Sequence, residues 1–184
     1  MKIIGITGTL GAGKGTIVDY LKTHYHFTHY SVRGYLIKII MQWGLPINRD
    51  TMVAVANELR ANNSPSFITD ELYKEAKCEK QDAIIESIRT LGEVESLRKT
   101  NDFVLLAIDA DSKVRYRRIV RRNSETDHIS FETFLENEKR EMTASDPNKQ
   151  NLAACIRQAD FVLTNNDGFK KLYRQIDEML KIVF

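Results

Sequence analysis

Residues 8–16 read GTLGAGKGT, directly after the apolar run KIIGIT. Glycines at 8, 11, 13 and 15 let successive backbone N–H groups turn inward, and Lys14 sets a cation beside them. A helical pattern, TIVDYLKTHY, follows at once, so its N-terminus faces the same point. A strand, a glycine loop and a helix in this order cradle phosphates, with the lysine reaching the outer ones. The spelling departs by one letter from G-x-x-x-x-G-K-S/T, in which a hydroxyl follows the lysine and binds Mg²⁺. Here Gly15 follows, and the hydroxyl comes one place later, at Thr16. A metal on the phosphates would then be held by phosphate, water and a more distant carboxylate. The plainer alternative is a glycine-rich strand-to-helix turn with a surface lysine.

Arginines are the next residues to place, because a phosphoryl donor and its acceptor crowd negative charge together. AIIESIRT (83–90) closes an apolar run with Glu86 and carries Arg89 just beyond it. Glu86 could orient Mg²⁺-bound water, or it could cap the next segment and pair with Arg89 at the surface. In DSKVRYRRIVRRN, Arg115, Arg118 and Arg122 recur at spacings of three and four and share a helix face. Like charges repel there, so an anion is expected, and planar guanidinium suits both stacking and forked phosphate contacts. The alternative is a solvated basic helix or an RNA-binding patch. Arg140 could swing in as a transition-state arginine or pair with Glu136, four residues earlier. Arg33 and Arg49 are further cations. Asp109 and Asp111 read either as a metal pair or, for Asp111, as the N-cap of the arginine helix. His24, His26 and His29 make no clear metal face.

These residues need a frame. Near-continuous apolar runs at 2–7, 27–32, 82–87, 102–109 and 159–164 predict strands buried on both faces. Helical patterns lie between them at 14–24, 33–43, 48–62, 65–79, 91–99, 112–122, 130–142, 149–158 and 168–182. The alternation predicts a parallel sheet with helices on both faces. Asn63 and Ser64 before Pro65 predict a helix start, and Ser130 predicts an N-cap. The polar segments 122–130 and 143–150 are candidates for a mobile flap and a second loop. A length of 184 residues predicts a single domain with a proper core. A net charge of +2 gives no global reason for nucleic-acid or membrane binding. No apolar run approaches bilayer length, the N-terminus lacks a signal-peptide pattern, and Cys78 and Cys155 have no metal spacing. Both cysteines are expected as small buried or half-buried groups, and the cytoplasm is the expected location.

GITGTLGAGKGT, IIESIRT, AIDADSKVRYRRI, FLENEKRE and ADFVLTNN together resemble the P-loop nucleotide kinases, the group of adenylate, nucleoside monophosphate and dephospho-CoA kinases. The resemblance implies a three-layer α/β/α P-loop kinase fold with a five-stranded parallel sheet in the order 2-3-1-4-5. It implies acceptor-binding helices at about 33–80 and a short lid at about 122–142, within one domain spanning 1–184. ATP would be bound by Gly8, Thr9, Leu10, Gly11, Ala12, Gly13, Lys14, Gly15 and Thr16, with Arg118 on the base and Asn166 and Gly168 in the loop that touches it. Arg33, Arg60 and Arg89 would hold the acceptor. Lys14, Arg89, Arg122 and Arg140 would be catalytic, and Glu86 would meet Mg²⁺ through water. One departure matters: after the second strand the family carries an Asp, and this chain has HYSVRGYL, with Arg33 and Gly34 there instead. A hydroxyl acceptor would miss that acid more than a phosphate acceptor would. The resemblance therefore implies phosphoryl transfer from Mg²⁺-ATP to a small phosphorylated acceptor, a (deoxy)nucleoside monophosphate first. A dephospho-CoA kinase-like enzyme and a non-catalytic ATP-binding regulatory or RNA-associated protein are the alternatives.

Overall fold

The computed structural model describes residues 1–100, 102–124 and 128–183; positions 125–127, inside the expected lid, lie outside the described residues. The apolar runs form β1 (Ile3–Gly8), β2 (Thr28–Ser31), β3 (Ala83–Glu86), β4 (Phe103–Asp109) and β5 (Phe161–Thr164). They make one parallel sheet in the order β2-β3-β1-β4-β5, the α/β topology expected. The helices among the described residues are α1 (Lys14–Tyr25), α2 (Val32–Gln42), α3 (Arg49–Asn62), α4 (Phe67–Glu79), α5 (Leu91–Arg98), α6 (Ser112–Arg122), α7 (Phe131–Met142), α8 (Leu152–Arg157) and α9 (Phe169–Val183).

Side chains alternate across each strand, which splits the core in two. Ile4, Ile6, Ile84, Leu106 and Ile108 pack with Ile17 and Leu21 of α1 and Leu172 and Ile176 of α9. Ile3, Ala83, Ile85 and Leu105 pack the other way, with Leu36 and Ile40 of α2, Val55 of α3 and Ile68 and Leu72 of α4. Both faces are therefore dry, which is why the strands read as continuous apolar runs. Each buried Ile or Leu stabilises the fold by roughly 1.5–3 kcal/mol. Gly5 interrupts β1 because a Cβ there would lie 2.5 Å from Ile88 Cδ1.

Helix starts follow their caps. Ser130 accepts from Thr133 N as expected, Asn48 accepts from Thr51 N, and Thr90 and Glu93 form a reciprocal capping box. α4 starts at Phe67, two residues after the expected Pro65. Pro65 instead lies in a turn closed by Phe67 N donating to Ser64 O, and it abuts Gly92 of α5. Asp111 is the N-cap of α6 by position, but its carboxylate accepts from Asn166 rather than from the helix. Cys155 is buried; Cys78 is exposed, contrary to expectation, because it falls on the solvent side of α4. Among the described residues, no helix is long and apolar enough to cross a membrane.

Candidate active site

The carboxyl ends of the strands open into one cleft of about 810 Å³. At its floor the loop after β1 turns through Gly11 (φ 78°) and Gly13 (φ 116°), a region that side chains rarely enter. Space forbids side chains as well: a Cβ on Gly11 would lie 2.6 Å from Arg115 O, and one on Gly13 would lie 2.4 Å from Asn165 Nδ2. Gly13 caps α1 without a side-chain bond, so the first-turn N–H groups keep their capacity for an anion. Lys14 Nζ donates to Gly8 O (2.9 Å) and Thr9 O (3.0 Å), which holds it across the loop. Burial and the charge of Arg89 push its ammonium down to about 8.

The loop is braced from α6 and from the segment after β5. Arg115 is buried, donates to Ala110 O (2.6 Å) and Leu10 O (3.3 Å), pairs with Glu138 (2.7 Å) and lies over Phe134. It braces the loop and does not share the cleft with Arg118 and Arg122. Arg118 donates to Ala12 O (3.3 Å) and Asn165 O (2.8 Å), and Asn165 Nδ2 donates to Ala12 O (2.8 Å). Asp109 accepts from Thr9 Oγ1 (2.6 Å) and Ala110 N (2.8 Å), which makes it a loop brace. Among the described residues, no group of three or more His, Cys, Asp or Glu side chains could hold a metal alone.

The opposite wall comes from α2, α3 and the turn after β3. Ser87 sits at φ 75°, a strained value for a serine, between Glu86 and Arg89, which both line the cleft. Burial works against the Glu86 carboxylate, but His29 and Lys14 outweigh it and hold the carboxyl at about 2. Arg89 Nη1 donates to Glu141 (2.7 Å) and Gln150 (2.6 Å). Arg49 pairs with the other oxygen of Glu141. Arg60 is fully buried, with two nitrogens on Glu93 (2.8 and 3.2 Å), and its Nη1 has no partner among the described residues. Arg33 lines the same wall and touches Met52 Sδ.

The structure thus brings Leu10, Gly11, Gly13, Lys14, Gly15, Thr16, Arg33, Arg60, Glu86, Arg89, Arg118, Arg122 and Gly168 to one cleft, with Gly8, Thr9 and Ala12 in the loop beneath. It does not bring Arg140 or Asn166. Arg140 pairs with exposed Asp50 (3.2 Å) rather than with Glu136, and its neighbour Glu141 faces inward. Helix phase explains this: Phe134 is buried, and residues 138 and 141 lie one and two turns on from it. Asn166 exchanges hydrogen bonds with Asp111 at the surface, while Asn165 turns inward. Among the lining residues that the motifs did not single out as a site are Glu141, Gln150, Asn165 and Phe169, and Arg49 stands in the sequence only as a further cation.

Gly15 is the odd letter of the loop, and nothing lies within 4 Å of a Cβ built on it. It is helical, so Gly15→Ala is expected to stabilise the fold by about 0.5–1 kcal/mol, a Tm rise of a few degrees by calorimetry. The same Cβ would stand in the cleft, so ATP affinity should fall. Unchanged affinity would mean that the nucleotide does not use this room.

A family model described as AAA domain matches residues 4–144. A UPF0200 protein of Methanococcus vannielii is 30% identical, the match covering 98% of this chain and 96% of the relative. A second, from Methanocaldococcus jannaschii, is 30% identical over 98% of this chain and 90% of its own. A solved gluconokinase from Sinorhizobium meliloti superposes with a TM-score of 0.59 at 12% identity, covering 99% of this chain and 93% of that one. A shikimate kinase from Bacteroides thetaiotaomicron gives 0.58 at 12%, covering 98% and 97%. Likeness at that identity shows the fold alone.

Proposed function

The chain belongs to the AAA domain family and to the UPF0200 proteins, and from that premise we propose that it transfers the γ-phosphoryl group of ATP to a small phosphorylated, nucleotide-like acceptor, a (deoxy)nucleoside monophosphate first. The strongest support is the charge of the cleft. Among the described residues, eight cationic side chains and two carboxylates line it. ATP with its metal offsets part of that charge, and a phosphorylated acceptor suits the rest.

The donor half is the glycine loop with Lys14, Arg118, Arg122 and Gly168, and Phe169 offers a ring face to a base. The acceptor half is Arg33, Arg49, Arg60 and Arg89, with Val32, Leu36, Met52 and Val53 as an apolar wall for a flat organic body. In this reading helices within 33–80 form the acceptor flap, and α7 belongs to the lid. Lys14 would exchange a carbonyl partner for phosphate oxygen, and the arginines would neutralise charge as the phosphoryl group moves. Catalysis is then positioning and electrostatics.

Mg²⁺ fits this cleft. Glu86 supplies a charged oxygen that would meet the ion through water, and Mg²⁺ takes one or two carboxylates with phosphates and water. When bound, it would neutralise phosphate charge. A carboxyl held at about 2 is a poor proton acceptor for a hydroxyl, which weighs against a dephospho-CoA-like acceptor. A phosphate acceptor is already ionised and needs no base. The test is an ADP-release screen over all ribo- and deoxynucleoside monophosphates with dephospho-CoA. Turnover on dephospho-CoA alone would favour hydroxyl transfer, and ATP binding without turnover a regulatory protein.

ATP affinity should also depend on pH. Below about 8 the free protein already carries the Lys14 charge that phosphate needs. Above about 8 binding must take up a proton, so affinity should fall by up to about tenfold per pH unit. Stability moves the other way: Lys14 is lowered in the fold, so the unfolded chain binds more protons between about 8 and 10.5, and rising pH relieves the cost of burying the cation. Calorimetric titration from pH 7 to 10 measures the first effect; a flat profile would remove Lys14 as the group concerned.

A further inference from the structure

Glu141 is an unexpected occupant of a cationic cleft. Its side chain is only 4% exposed, and its two oxygens are divided between Arg49 and Arg89, with Gln150 on the same Arg89 nitrogen. Burial disfavours its charge, and Arg89 and Arg49 outweigh that. We propose that Arg49 and Arg89 form a phosphomonoester-binding site and that Glu141 fills it in the resting protein until the acceptor's phosphate displaces it.

Three observations support this. A carboxylate has two oxygens and both are used, yet among the described residues a donor of the same pair has no partner: Arg49 Nε, buried, on a residue that lines the cleft. A phosphate brings a third oxygen for such a donor and two charges against one, so it outcompetes the glutamate where another carboxylate would only match it. Finally, the displaced side chain has somewhere to go. A second cavity of about 480 Å³ shares Val53, Glu141 and Gln150 with the cleft and carries Lys149 and Arg140. Glu141 stands in the partition between the two.

The inference rests on the phosphoryl-transfer reading for what the anion belongs to, so the test measures binding rather than turnover. Inorganic phosphate is titrated into the full chain by calorimetry. Glu141→Gln should bind it about tenfold more tightly than wild type, since one competing charge is gone. The gain should vanish in E141Q with Arg49→Ala, which separates this site from the glycine loop. Glu141→Asp keeps the charge but is one methylene too short to bridge both arginines, and it should give a smaller gain; it serves where E141Q does not fold. No gain in either variant, or a gain that survives the loss of Arg49, overturns the proposal. Turnover in the acceptor screen with no such gain overturns the displacement alone, and a gain without turnover leaves the anion site and removes the kinase reading.

Discussion

Lys14→Ala is expected to lower ATP-dependent turnover by about 10³-fold and to leave the melting temperature near that of wild type. Both halves follow from where the ammonium sits. Its two partners are the Gly8 and Thr9 carbonyls, at the point where the loop turns toward the first turn of α1. The arginines nearest the loop are held elsewhere: Arg118 donates to Ala12 and Asn165, and Arg115 is committed to Ala110, Leu10 and Glu138. The fold should not suffer, because the pKa is already pushed down to about 8. The folded chain tolerates this charge rather than gaining from it, and its removal relieves burial of a cation. Steady-state ADP release and a thermal melt on the same sample decide the matter. Activity within about tenfold of wild type would falsify phosphoryl transfer at this loop; lost activity with a collapsed Tm would mean that the two carbonyl contacts matter structurally.

The glycine loop was legible because its chemistry is local: four glycines and a lysine within eight residues, between an apolar run and a helix, have few other uses. The strands were legible for a related reason, since burial on both faces leaves unbroken runs such as FVLLAID. The opposite wall was legible only in part, in Arg33, Arg60, Glu86 and Arg89, because the rest of it depends on how separate helices approach one another. Nothing near Arg49 in the chain announces Glu141, which lies 92 residues away. The inward turn of Glu141 could have been read from phase, had Phe134 been taken as the anchor of α7. Then 138 and 141 face inward, and Arg140 falls about 100° off. Asn165 and Asn166 differ in the same way: the chain leaves β5 at Thr164, and a bond from Asn165 N to Asp109 O (2.9 Å) turns the first asparagine toward the loop. The left-handed Ser87 has no signature in the sequence, although it aims Glu86 and Arg89.

Arg89→Ala is expected to cut kcat/KM for the acceptor by about 10²–10³-fold while moving ATP affinity by no more than about threefold at pH 7. The backbone of Arg89 is fixed independently of its side chain: its N–H donates to Glu93 (2.7 Å) and its carbonyl accepts from Asn151 N (2.8 Å). Truncation should therefore leave the turn in place. Glu141 keeps Arg49, so no buried carboxylate is stranded and the Tm should fall by a few degrees at most. A purely structural Arg89, serving only to tie α7 to the cleft, predicts something different. It would then act through Glu141, and Glu141→Gln should reproduce the loss on the acceptor side. Phosphate binding by Arg89 predicts opposite signs, weaker anion binding in R89A and tighter binding in E141Q. Arg89 also leaves a trace on the donor side. Its charge is the second cause, after burial, of the lowered pKa of Lys14, so R89A should move the alkaline fall in ATP affinity to higher pH. Equal losses for ATP and acceptor, with no movement of that profile, would remove Arg89 from the acceptor site.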